Sequence, residues 1–188
     1  MFVIESINQK YTDACPYAFP QDMKNLLRYI AKPNATEYPA GSCRHLVGAI
    51  PDIILADQPR AWERAFDLFN HQLELFPKQG SLMQHRVISF GDEEVQDPIL
   101  AFWLATKVAG FYFERGHISF FGVHTNTENL HIHIAVSSTN WRDGSDFFIY
   151  DELSVLSNRV NMWYQDYMHG NHLPQFQNNL TKNLEGKS

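Results

Sequence analysis

The segment LHIHIAVSS, residues 130–138, constrains the chain more than any other stretch. Its apolar and β-branched residues read as a strand, and a strand sets residues i and i+2 on one face. His131 and His133 therefore stand side by side, their Cα atoms roughly 6.5–7 Å apart. Ile132 and Ile134 turn to the other face, toward a core. Upstream, HISFFGVH (117–124) reads as a second strand. The polar loop TNTENL between them predicts a hairpin that brings His124 opposite His131. Three neutral imidazoles on one face form a ligand set for one divalent ion with open coordination positions. An ion so held can polarise a phosphate or activate a nucleophile.

The rest of the chain supplies a framework for that hairpin. MFVIESI, RHLVGAI and MQHRVISF read as strands. QDMKNLLRYIAK reads as a short helix with the apolar stripe Met23, Leu26, Leu27 and Ile30, stopped by Pro33. Trp62, Phe66, Phe69, Leu73 and Phe76 recur at helical spacing before Pro77. DPILAFWLATKVAGFYFERG carries its own punctuation: Asp97 as N-cap, Pro98 in the first turn and Gly116 at the end. DELSVLSNRVNMWYQDYMHG predicts a last helix. The fold class is α/β (α+β), a single central, largely antiparallel sheet flanked by helices. Residues 1–170 are expected to form the domain and 171–188 a polar tail.

Composition excludes some functions. Of 188 residues, 44% are hydrophobic and 14% aromatic, which provides a substantial core. A net charge of −6 excludes broad, non-specific attachment to nucleic acid through a basic surface, while leaving a local basic site open. Cys15 and Cys43 make no disulfide framework, and the first residues have no signal-peptide pattern. A reducing, cytoplasmic setting without membrane insertion is expected.

HTNTENLHIHIAVSSTNW resembles the third motif of the conjugative relaxases, the mobilisation nucleases within the HUH endonucleases. His131, Ile132 and His133 match histidine–hydrophobe–histidine, and His124 matches the upstream third ligand. LLRYIAK is similar to the family's tyrosine motif, with Tyr29 in the tyrosine's place. HRVISF resembles its intermediate motif, a histidine before Ser-Phe, which singles out His85. Together these cover roughly residues 20 to 145. The resemblance implies a transesterase acting on single-stranded DNA at a transfer origin. His124, His131 and His133 would hold one divalent metal ion (Mn, Mg, Zn, Ni or Co), and imidazoles suit Mg least. Tyr29 would attack the scissile phosphate, leaving a 5′-phosphotyrosyl link. Accessory relaxosome and coupling proteins are the implied partners. Lys24, Arg28, Lys32 and Arg44 surround Tyr29 and are candidates for phosphate contacts.

The sequence departs from the family in two places. Asn126 stands where the family usually has an aspartate, and is expected beside the ligands. Ser137 stands where the family has an asparagine, although Asn140 follows and is a candidate DNA contact. Three other readings are open. Replication initiators and single-tyrosine transposases take their tyrosine from a helix after the histidine pair; here Tyr164 would serve, since Tyr167 shares a face with Leu156 and Val160. A binding module that kept the fold without the chemistry is the second. A metal hydrolase of small phosphate esters is the third.

Overall fold

The computed structural model describes residues 3–6, 17–31, 46–50, 61–91, 97–124 and 130–170. Among these residues, five strands and four helices follow in the order β1 (Val3–Ser6), α1 (Pro20–Ala31), β2 (Leu46–Ile50), α2 (Ala61–Leu75), β3 (Met83–Ser89), α3 (Pro98–Glu114), β4 (Ser119–His124), β5 (His131–Ser137) and α4 (Glu152–Met168). The strands form one sheet in the order β1-β3-β5-β4-β2, and every pairing is antiparallel. The expected antiparallel sheet flanked by helices is what the chain adopts. The expected polar tail, 171–188, lies outside the described residues.

β5 is the central strand, and its alternation divides the molecule. Ile132, Ile134 and Val136 pack into one apolar cluster with α3 and α4. Ala135 belongs to a second cluster with α1 and α2. Helices thus cover both faces of the sheet, so nearly all of β4 and β5 is buried rather than alternating with solvent. On α1, Met23, Leu26, Leu27 and Ile30 are all buried, as their i, i+3, i+4, i+7 spacing requires. α3 is started by Asp97, whose Oδ1 accepts from the Ile99 N–H at 2.9 Å. Gly116 ends its last turn at a φ of 88°, a conformation glycine takes without a Cβ penalty. Ala101, Ala105 and Ala109 are fully buried along one i, i+4 line, which lets α3 lie close against the sheet.

The α3/α4 face holds a buried charge pair. Arg86 of β3 presents its guanidinium to Glu152, with Nε–Oε1 at 2.9 Å and Nη2–Oε2 at 2.8 Å. The Tyr112 hydroxyl donates to the same carboxylate at 2.6 Å, and Arg86 Nη1 donates to Ser6 Oγ at 2.9 Å. One network therefore joins β1, β3, α3 and the first turn of α4. Bidentate geometry and satisfied donors are what make such a pair tolerable away from water. Glu152→Ala would leave the guanidinium buried without its carboxylate. The expected cost is about 3–5 kcal/mol, read as a lowered urea midpoint. An unchanged midpoint would show that α4 does not depend on the pair.

Candidate metal centre

β4 and β5 bring the three histidines together through backbone pairing. His124 pairs with His131, and Gly122 pairs with His133. His124, His131 and His133 project from the α1/α2 face at the end of the sheet where the hairpin closes. Their ring centroids lie 4.5 Å (His124–His133), 4.9 Å (His131–His133) and 5.3 Å (His124–His131) apart. One ring nitrogen from each lies within 4.8 Å of the others, and no acidic group joins the cluster among the described residues. His124 and His133 are buried, and His131 is half-buried. Among the described residues, His131 is therefore the least covered of the three.

The hydrogen bonds decide which nitrogens are available. His124 Nε2 lies 2.9 Å from the carbonyl oxygen of Ile30. A carbonyl only accepts, so Nε2 carries the proton and Nδ1 keeps its lone pair for a cation. Ile30 is in the last turn of α1, where carbonyls lack partners within the helix. The same contact closes a helix end and fixes a tautomer. His133 Nδ1 lies 3.0 Å from His85 Nε2, which directs His133 Nε2 into the cluster. The neutral donor set fits a divalent transition-metal ion. Three imidazoles leave the ion its full charge, and the bonds to Ile30 and His85 are the outer contacts that orient ligating histidines.

Tyr29 enters from α1. Its hydroxyl is 3.4 Å from His133 Nε2, and its ring meets those of His133 and His124 edge-on at 5.0 and 5.6 Å. The side chain is 47% exposed, so it borders both the imidazoles and solvent. Burial raises its phenol above the usual value of 10, so it is a neutral phenol at pH 7. The approach depends on Gly122. A Cβ there would come within 2.4 Å of the Ile30 carbonyl oxygen. A strand glycine marks a close backbone approach, and here the approaching backbone is the turn of α1 that carries Tyr29.

His85 sits in β3, 3% exposed, between His133 and Tyr17, whose hydroxyl is 3.0 Å from His85 Nδ1. Burial, helped by the neighbouring Arg86 charge, lowers its pKa from 6.5 to about 4. It is neutral at pH 7. Sequence reasoning missed Gly122, the Ile30 carbonyl and Tyr17. The glycine inside FFGVH was a usable signal; the other two had none.

Other candidates are placed elsewhere. Asn140 is beyond the far end of β5 from His131. Its amide is engaged in a turn, donating to the Arg115 carbonyl at 3.3 Å and accepting from the Arg142 N–H at 2.9 Å. Asn140 is thus held apart from the histidine cluster. Ser137 is at that same end and donates to the Thr139 carbonyl. The Lys24 ammonium lies over the Trp62 and Phe66 rings, and the Arg28 guanidinium over Trp62, so both lean on α2. Tyr164 and Tyr167 pack against the α3/α4 cluster, on the opposite face of the sheet from the histidines. That placement removes the geometric basis for Tyr164 as nucleophile. Lys32, Arg44 and Asn126 lie outside the described residues.

Two outcomes are expected. Gly122→Ala should push α1 off the sheet, lowering stability by about 1–3 kcal/mol and weakening Mn²⁺ binding in a titration. Gly110→Ala in α3, where a Cβ would meet nothing within 4 Å, should leave both at or above wild type. The second concerns pH in the metal-free protein. A histidine with a depressed folded pKa contributes stability that is complete above the unfolded value of 6.5. That stability falls as the pH drops toward about 4. The loss amounts to roughly 3 kcal/mol for His85. His117, buried and also lowered by desolvation, adds to the same slope. Urea unfolding from pH 7 to 4 should show it, and His85→Gln should flatten it without abolishing it.

No helix among the described residues is long and apolar enough to cross a membrane. No curated protein matches the chain. A family profile described as relaxase, MobA/VirD2-like, nuclease domain, matches residues 54–165. The match takes in β3, β4, β5, α2, α3, the histidine cluster and most of α4, and stops short of α1 and Tyr29. By its sequence over that span the chain belongs to the relaxase family, as a MobA/VirD2-like nuclease domain.

Proposed function

We propose that the protein cuts and rejoins single-stranded DNA at a transfer origin through Tyr29, with a divalent ion held by His124, His131 and His133. The observation that carries this reading is the 3.4 Å separation of the Tyr29 hydroxyl from His133 Nε2, at the edge of three converging imidazoles. A divalent ion there supplies positive charge to phosphate oxygens and favours the phenolate form of a neighbouring tyrosine.

The protein's own groups account for the rest. His124 is oriented by Ile30 and His133 by His85, so the ligands are preorganised by contacts that reach into the sheet and α1. Tyr29 gives its proton to water, which its half-exposed position permits. Its oxygen forms a bond to phosphorus, and the bond from phosphorus to the 3′ oxygen breaks. The 3′ oxygen takes up a proton and leaves as a hydroxyl. The 5′ end stays joined to Tyr29, and attack by a 3′-hydroxyl reverses the step with no net loss of a phosphoester. Transfer-origin DNA, relaxosome and coupling proteins are the partners this chemistry calls for.

The test uses labelled single-stranded oligonucleotides tiled across the DNA flanking the protein's own gene, with Mn²⁺. Wild type should give a cleaved product and a covalent adduct that mass spectrometry places on Tyr29. Tyr29→Phe removes only the hydroxyl and should lower cleavage by at least about a thousandfold while Mn²⁺ affinity stays near normal. Cleavage without an adduct would indicate a water nucleophile and overturn the reading. A shifted but uncut oligonucleotide would favour the binding module, to which Asn126 and the acidic net charge point.

A further inference from the structure

We propose that Tyr17 and His85 form a positioning pair that holds His133 in its metal-binding tautomer, through a row of contacts running Tyr17 Oη–His85 Nδ1–His85 Nε2–His133 Nδ1. The inference rests on the reading of His124, His131 and His133 as a metal site. Both contacts measure 3.0 Å. His85 and His133 are 3% and 5% exposed, so water does not readily replace either partner.

A neutral imidazole carries one ring proton and one lone pair. A cation on His133 Nε2 takes the lone pair of that nitrogen, so the ring proton must be on Nδ1. That N–H donates to His85 Nε2, which places the His85 proton on Nδ1. The Tyr17 hydroxyl oxygen then accepts from His85 Nδ1. In the reverse polarity the Tyr17 hydroxyl donates to His85 Nδ1, His85 Nε2–H donates to His133 Nδ1, and His133 Nε2–H faces Tyr29. A hydroxyl both donates and accepts, so it satisfies the row in either direction. Phenylalanine satisfies neither, and in the metal-holding direction it takes away the acceptor of the His85 Nδ1–H.

Tyr17 is also placed with some strain. Its φ of 56° is a left-handed conformation unusual for a large side chain. Its carbonyl is fixed by the Leu82 N–H at 2.9 Å, one residue before β3 begins. The backbone is thus tied to the strand that carries His85, and the rings meet edge-on with centroids 6.1 Å apart.

The experiment uses the full chain and Zn²⁺ as probe. Calorimetry of Tyr17→Phe should show a Zn²⁺ affinity about 10–100-fold below wild type, with an unchanged backbone amide spectrum outside the site. Tyr164→Phe, on the opposite face, should bind as wild type does. Long-range ¹H–¹⁵N spectra of the Zn²⁺-loaded wild type should show His133 and His85 both protonated at Nδ1. Equal affinity in wild type and Tyr17→Phe, or His85 protonated at Nε2 in the loaded protein, would overturn the proposal while leaving the metal site standing. Failure of wild type to bind Zn²⁺, or undiminished binding by His124→Ala, would overturn the metal-site reading and this proposal with it. If Tyr17→Phe does not fold, the ring protonation of the loaded wild type decides alone.

Discussion

The contact between the Ile30 carbonyl and His124 Nε2 holds the site together. It exists because residue 122 has no side chain, so the last turn of α1 can rest on β4. Three consequences follow from one close approach. A helix carbonyl with no partner in its own helix is satisfied. His124 is fixed in the tautomer that leaves Nδ1 for a cation. Tyr29, one residue before Ile30, is delivered to the edge of the imidazole cluster. Loss of the approach would release all three together, which is why a tyrosine so distant in sequence from the histidines can be held beside them.

The two faces of the sheet contribute differently. On the α3/α4 face, Arg86, Glu152 and Tyr112 form a network within the apolar cluster that fixes strands and helices to one another. The α1/α2 face is apolar through its middle and becomes imidazole-rich at the hairpin end. β3 serves both, since Arg86 points to one side and His85 to the other. The overall charge of −6 does not conflict with phosphate chemistry at this end. The cluster contains no carboxylate among the described residues, so a bound ion would keep its charge for the phosphate.

Strand periodicity made much of this legible. The two-residue spacing of His131 and His133 set them on one face. The short hairpin set His124 opposite His131, and the register agrees residue for residue. The stripe on α1 correctly left Tyr29 at its edge. What periodicity cannot show is which helix lies on which end of which strand. Asn140 looked close to the histidines in sequence, yet β5 is long enough to carry it to the far end of the sheet. Nor can periodicity show that Lys24 and Arg28, which flank Tyr29, lie over aromatic rings of α2. Tyr17 sits in a proline-rich stretch with no period at all. Its place beside His85 depends on a backbone bond to Leu82, far along the chain.

On this reading α1 and the β4–β5 hairpin together make one metal centre with Tyr29 at its rim. Anomalous diffraction from crystals grown with Mn²⁺ tests it most directly. The expected result is a single strong peak bonded to His124 Nδ1, His133 Nε2 and the His131 imidazole, with the His124–Ile30 contact intact and the Tyr29 hydroxyl alongside. A peak remote from these histidines, or one bonded to His124 through Nε2 with α1 displaced from Gly122, would contradict it.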